Sequence, residues 1–414
     1  MSDESHKSPE KRTSRRARQG LAGVAALLLV GLAVAPVAAA GEQRIEARGT
    51  LVSVTPVADR DIRQVKEFLA GQDVASDPVR YGVRAYRLTY RTVDPYGRPT
   101  TATGLLTLPK GGAHRLDLVS DTHGTMVHRA YAPSAGEDFG RIPSYLNAGA
   151  GRSVAAPDYL GLGEGPGPHP YMDTASSVTA SVDMLRAART AADRLDRPLT
   201  GDVYATGFSQ GGQVATALGK ALAQGADRHF RLRALAPVSG PHDLEGQEMP
   251  GLYDGRVNDT SGVFYISYWL VAQNRLHPIY KAPSEVFRVP FASRVEALFD
   301  GNHEQEDVVK ALAPSVKRLL TPAFYERLRH PAGPLLDAMR SADHTCDWKP
   351  GVPVRLYDGD NDTDIPIGNT RACADTLVGQ GARVRVVDQG AVDHFGSLAV
   401  SAPQVVRFFD TVRG

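Results

Sequence analysis

A regular alternation limits what this chain can fold into more than any other feature. Short β-branched runs of strand length trade places with longer stretches of helical periodicity. Residues 79–93 and 100–108 flank a Pro95-Tyr96-Gly97-Arg98 turn and predict an antiparallel hairpin. Further runs at 116–120, 153–156, 202–207, 232–237, 352–357 and 382–387 predict strands, and 174–195, 210–224, 367–379 and 402–412 carry helical patterns. Neighbouring strands joined through helices run parallel, so the expected fold class is α/β. It should have a mostly parallel central sheet with helices on both faces, entered through the hairpin.

One stretch interrupts the alternation. Residues 241–350 show no clear strand and are rich in aromatics, among them Phe264, Tyr265, Tyr268, Trp269 and Phe299. This is far beyond an ordinary connection between a helix and a strand. It reads as a helical cap or lid inserted over the mouth of the sheet. The run 263–271 is apolar around most of a helix and must be buried, either on its neighbours or over a site.

The N-terminus reads as an address rather than as part of the fold. Basic residues up to Arg18 precede the apolar run 21–35. Pro36 breaks that run, and Ala38-Ala39-Ala40 precede Gly41. This order predicts a secretory signal over 1–40 with cleavage near Ala40. An uncleaved membrane anchor is the alternative, and Arg15-Arg16 fits a twin-arginine signal poorly. No later stretch is apolar enough to span a membrane. The chain carries a formal charge of +1, and the leader, with six Lys/Arg against three Asp/Glu, accounts for the positive balance. Near-neutrality gives no footing for a nucleic-acid partner. The two cysteines, Cys346 and Cys373, are expected to pair in an exported chain. The sequence does not speak to oligomeric state.

Gly207-Phe208-Ser209-Gln210-Gly211 carries the chemistry. Its G-x-S-x-G pattern sits between a predicted strand and a predicted helix, which is the context of a nucleophile elbow. The chain turns so sharply there that a side chain two residues before or after the serine would collide with its surroundings. A serine hydroxyl needs a base, and the base needs an orienting acid. The order Ser, acid, His is available. His394 lies in a loop after the run 382–387, and four aspartates, Asp358, Asp360, Asp362 and Asp364, surround the end of 352–357. As an EF-hand loop this acidic run fails, since its sixth and twelfth positions hold Thr363 and Asn369. A solvated acidic turn accounts for the extra aspartates. The oxyanion of a tetrahedral intermediate needs two N–H donors. Gln210, directly after the serine, offers one backbone amide. The His123-Gly124-Thr125 loop offers the other, with Thr125 preferred and Gly124 second; His123 is assigned to loop packing.

With these residues assembled, the chain resembles the secretory lipase family of α/β-hydrolases, the lipase A-like enzymes of fungi and their bacterial relatives. The resemblance rests on His123-Gly124-Thr125, Ala156-Pro157-Asp158-Tyr159-Leu160-Gly161-Leu162-Gly163, His169-Pro170-Tyr171, the stretch Asp183 to Ala188, the elbow, Ser239-Gly240-Pro241 and the Asp362 and His394 segments. It runs from about residue 50 to 410. The family's pattern around its acid falls on Gly359, Asp362, Ile365 and Pro366, and so selects Asp362. The resemblance also implies a helical cap after Ser239-Gly240-Pro241 and cleavage of carboxylic esters, from short acyl esters to triacylglycerols. Phe208 and Gln210 occupy the elbow's variable positions and leave the substrate open.

The expected organisation is a signal over 1–40, a hydrolase core over 41–240 and 351–414, and the cap over 241–350. The expected activity is that of a secreted serine esterase or lipase acting on a small ester or lipid, with no cofactor and no metal. Two rivals are an exported peptidase with the same triad and a non-catalytic binding protein, which would tend to lack a triad member.

Overall fold

The computed structural model describes residues 47–412, so the expected signal segment lies outside the described residues. Nine strands form one sheet in the order β1-β2-β3-β5-β4-β6-β7-β8-β9. They are β1 (Leu51–Arg60), β2 (Val83–Val93), β3 (Pro99–Pro109), β4 (Leu116–Thr122), β5 (Ser153–Pro157), β6 (Leu199–Phe208), β7 (Arg231–Val238), β8 (Val354–Asp358) and β9 (Val384–Asp388). The first three and β5 pair antiparallel, and from β5 to β9 every pairing is parallel. The α/β expectation holds, and the hairpin is β2–β3. The sequence reading missed β1. That edge strand is half-exposed and carries Pro56, so it shows neither a continuous apolar run nor a clean alternation.

Strands β4 and β5 are almost wholly buried, as parallel strands covered on both faces must be. One apolar cluster, including Leu118, Val203 and Leu235, covers one face; another, including Val119, Tyr204 and Phe409, covers the opposite one. Because β4, β6, β7, β8 and β9 run the same way, the segments following them emerge at one edge of the sheet, where sites in such sheets gather.

Between β7 and β8 the chain is helical, apart from an isolated bridge between Phe287 and Leu320. The longest element there, Asp259–Asn274, begins where the Asn258 side chain accepts from Ser261 N. Its apolar residues enter a separate cluster with Val286, Leu319 and Leu335. Cys346 and Cys373 form a disulfide across a separation of 27 residues, tying the approach to β8 to the helix Gly368–Gly379. The last helix, His394–Thr411, begins earlier than its sequence pattern suggests. Pro403 lies inside it and removes only one backbone donor. His394 is therefore the first residue of a helix rather than part of a loop. Among the described residues no helix is long and apolar enough to cross a membrane.

Candidate active site

The elbow is built by steric exclusion. A Cβ at Gly207 would lie 2.2 Å from both the Gly211 carbonyl oxygen and Thr122 Oγ1, and one at Gly211 would lie 1.8 Å from the Thr122 carbonyl oxygen. Thr122 Oγ1, at the end of β4, donates to the Gly211 carbonyl at 2.7 Å and fixes the start of the helix Gln210–Ala223. Ser209 has φ 56° and ψ −125°, a conformation that non-glycine residues seldom hold without support. Part of that support is its N–H, which donates to the Val238 carbonyl at 2.9 Å. The Ser209 side chain is thus lifted off the end of the sheet at the N-terminus of a helix.

Asp362 and His394 meet: His394 Nδ1 donates to Asp362 Oδ2 at 2.6 Å. The other carboxylate oxygen, Oδ1, accepts from the backbone N–H groups of Asp364 and Ile365 at 3.0 and 2.8 Å. Nδ1 holds the proton in this arrangement, so Nε2 is left as an acceptor. It is buried with no hydrogen-bond partner, and no bond joins it to Ser209. Hydrogen bonds of this kind often tighten only when substrate binds. The imidazole lies against the Phe208 ring at 4.5 Å, beside the serine in sequence. Burial pushes the His394 pKa down, but the hydrogen bond and charge of Asp362 outweigh it and leave the group above its ordinary value.

The other aspartates differ from the expected solvated turn. Asp358 is fully buried and accepts from Ser239 Oγ at 2.9 Å and Thr370 Oγ1 at 2.7 Å. Burial, joined by the Asp362 charge, pushes its carboxyl up to about 7 despite those bonds. Asp360 is exposed and pairs with Arg371. Asp364 accepts from Asn258 Nδ2, Ser261 Oγ and Tyr265 OH, so it ties the helix Asp259–Asn274 to the segment holding Asp362. Among the described residues, one group has the donors to hold a metal, namely His242, Cys346 and Cys373, and both its sulfurs are engaged in the disulfide.

The His123-Gly124-Thr125 loop runs against Ser209. A Cβ at Gly124 would stand 3.3 Å from Ser209 Cβ. His123 bridges the Gly124 and Asp158 carbonyls and lies on the Tyr159 ring at 4.3 Å, in keeping with its packing assignment. Gln210 is the first residue of its helix, where backbone N–H groups have no partner within the helix. Its side chain Nε2 donates to His169 Nε2 at 3.3 Å, while His169 Nδ1 donates to the Leu160 carbonyl. Burial holds His169 down at about 3, so it stays neutral and can accept. Thr125 Oγ1 bonds Tyr171 OH at 2.9 Å; Tyr171 stacks on Tyr268 at 4.2 Å, and Tyr268 on Phe299. The roles of His169, Tyr171 and Asp364 were not read from their own residue types. The first two were visible only as part of the His-Pro-Tyr block.

A cleft enclosing about 480 Å³ of empty space, part of it continuous with solvent, borders this constellation through Tyr171 and Ile365, while Ser209, Asp362 and His394 are not in its wall. Tyr171, Pro241 and Ile365 border it on the side of the site, and Glu248, Tyr265 and Trp269 come from the helical segment. The aromatic stretch packs throughout in the segment's own core, and of it Trp269 and Tyr265 also line the cavity.

No protein-family model matches the chain, and no curated protein does. Solved structures match along nearly its whole length. The rice cell wall degrading esterase LipA from Xanthomonas oryzae is 30% identical, with a TM-score of 0.79, over 89% of this chain and 100% of that one. A putative hydrolase from Legionella pneumophila, 23% identical, superposes with a TM-score of 0.79 over 87% of this chain and 98% of its own. Candida antarctica lipase A shares the fold at 12% identity and a TM-score of 0.65, over 88% and 82% of the two chains. The last two speak to fold, while the LipA match, with its identity and full coverage, carries the family. The chain belongs to the bacterial lipase A-like α/β-hydrolases and is a carboxylic ester hydrolase.

Proposed function

We propose that the protein is a secreted serine esterase or lipase that works through an acyl-enzyme on Ser209, with His394 as base and Asp362 as its orienting acid. The observation that carries this reading is the 2.6 Å bond from His394 Nδ1 to Asp362, which leaves Nε2 buried and unpartnered in a ring that lies on Phe208, the residue before a strained serine. In the first half-reaction Ser209 Oγ attacks the ester carbonyl carbon and its proton passes to His394 Nε2. The oxyanion formed is met by the backbone amides of Gln210 and Thr125. The C–O bond to the alcohol then breaks, and the alcohol departs with the proton from Nε2. Water repeats the sequence on the acyl-enzyme, releasing the acid and restoring the serine. Asp362 keeps the imidazole in the tautomer whose Nε2 accepts, and steadies the imidazolium formed in each step. The cap, residues 241–350, closes over this edge of the sheet, and the 480 Å³ cavity takes the acyl chain. Each buried methylene is worth about 0.8 kcal/mol, so longer chains should be favoured until the cavity is full.

The test has two parts. A fluorophosphonate should label wild-type protein at Ser209 and leave Ser209→Ala unlabelled. A panel of nitrophenyl esters should then show kcat/KM rising from acetate to medium-length chains, and labelling at another residue or no ester turnover would overturn the reading. Secretion is tested by the N-terminus of protein recovered outside the cell, expected near Gly41.

A further inference from the structure

We propose that Glu248 and Trp269 make the acyl cavity selective for acyl chains that carry a hydroxyl, which the two side chains would hydrogen-bond. The proposal rests on the reading that Ser209 forms an acyl-enzyme, and it names the substrate class of that same site.

The cavity is apolar along most of its wall, with Met172, Leu252, Val257 and Ile266 among its lining. Glu248 is the single ionisable carboxyl in that wall. Asn369 Nδ2 donates to its Oε1, and no hydrogen-bond partner among the described residues meets its Oε2. Asn369 is itself fixed: Nδ2 also donates to the Pro366 carbonyl at 3.1 Å, and Oδ1 accepts from Asp243 N at 3.1 Å. The carboxyl is thus anchored through one oxygen, in a residue that lines the cavity. Burial pushes Glu248 up to about 8, with the Asp362 charge adding to the shift and the Asn369 bond opposing it. At neutral pH it is mainly an un-ionised acid, able to donate as well as accept. Trp269 also lines the cavity, and its Nε1–H is buried without a partner. A buried donor left unpaired costs stability, and a polar group placed in an apolar pocket discriminates strongly between a ligand that pairs with it and one that does not. A plain alkyl chain leaves both groups unpaired. A chain bearing a hydroxyl offers one lone pair to the Trp269 N–H and pairs with the free carboxyl oxygen, accepting from it when Glu248 is protonated and donating to it when it is ionised. Neither Glu248 nor Trp269 has a part in proton transfer at Ser209.

The experiment compares kcat/KM of the full chain for ethyl octanoate with that for ethyl octanoates hydroxylated at successive carbons. At least one hydroxylated ester should be preferred roughly tenfold, the effect of one hydrogen bond made in place of an unpaired group. Glu248→Gln keeps a donor and an acceptor and should keep the preference. Glu248→Leu should bring the ratio to about one or below. Trp269→Phe removes only the N–H and should cut the preference severalfold, which keeps the proposal open to refutation if the Glu248 variants do not fold. Fluorophosphonate labelling of each variant separates a damaged triad from an altered cavity. If wild-type cleaves ethyl octanoate but prefers no hydroxylated ester, or if the preference survives in both Glu248→Leu and Trp269→Phe, the proposal is wrong and the esterase reading stands. If wild-type cleaves no ester, the esterase reading fails and takes this proposal with it.

Discussion

The elbow and the acid segment of the candidate site are held in place by different means. Around Ser209 the geometry is set by backbone atoms and by the absence of side chains: Gly207 and Gly211 stand where a methyl group would overlap a carbonyl oxygen or the Thr122 hydroxyl. Around Asp362 the geometry is set by side chains from remote parts of the chain. Asn258, Ser261 and Tyr265 reach Asp364, and Ser239 and Thr370 reach Asp358. The first arrangement is steric, with Thr122 and Val238 brought to it by neighbouring strands of the sheet. The second is a network whose members can be loosened one at a time, and it couples the Asp362 segment to the helix that lines the cavity.

The sharpest way to break the comparison is within the aspartates. Asp362→Asn should lower kcat by roughly 10⁴, because the imidazole loses the partner that selects its tautomer, with little change in melting temperature. Asp364→Asn should cost only about tenfold, since it loosens a support rather than removing the acid. If Asp364→Asn is dead and Asp362→Asn active, the acid has been assigned to the wrong residue. Gly211→Ala comes next, read as stability. With 1.8 Å to the Thr122 carbonyl oxygen it should cost at least about 3 kcal/mol or yield no folded protein. A well-folded Gly211→Ala enzyme would show that the elbow is softer than its geometry implies.

The disulfide probes the network side. The 27-residue separation suggests about 3–4 kcal/mol lost in a Cys346→Ala, Cys373→Ala double variant, measured by denaturant unfolding. Since the bridge anchors the helix that follows the acid segment, kcat should fall modestly as well.

The smallest effects are in pH. His394 must be neutral at Nε2 to take the serine proton, and its pKa is raised, so kcat/KM should fall on acidification with a midpoint above 6.5. A midpoint at or below that value would mean Asp362 does not outweigh burial. Asp358 gives the matching stability signal. Its folded pKa of about 7 lies above the ordinary value of 3.8, so the folded state holds a proton that the unfolded state releases between them. Its favourable contribution is complete below 3.8 and is lost as pH rises towards 7. Asp358→Asn should therefore gain in melting temperature relative to wild type as pH is raised across that window. A constant difference would mean the carboxyl titrates normally.

Legibility from sequence followed the same division. The elbow is local, and its glycines, flanking strand and helix all lie within a few turns of one another, so residue pattern alone located Ser209 and the Gln210 amide. The parallel strands were legible for a similar reason: burial on both faces writes a continuous apolar run. The exposed edge strand β1 writes none and was missed, and Pro403 hid the first two turns of the last helix, which begins at His394. The acid was not legible from its own segment, where four aspartates alternate and look alike. Resemblance to a family pointed to Asp362.

The sequence by itself determined the fold class, the place of the turn that carries Ser209, and the presence of a long helical, aromatic segment before β8. Those depend on periodicity and on sterics between near neighbours. Only the tertiary structure decided which aspartate meets His394, because that choice depends on a 2.6 Å contact between residues 32 positions apart. It likewise buried Asp358, left Asp360 in solvent and gave Asp364 to the aromatic helix. It also decided which of that helix's core residues, Trp269 and Tyr265 but not Phe264 or Tyr268, border the cavity as well. A helix apolar on nearly every side carries no sequence signal for which side meets a cavity; that is fixed by what packs against it.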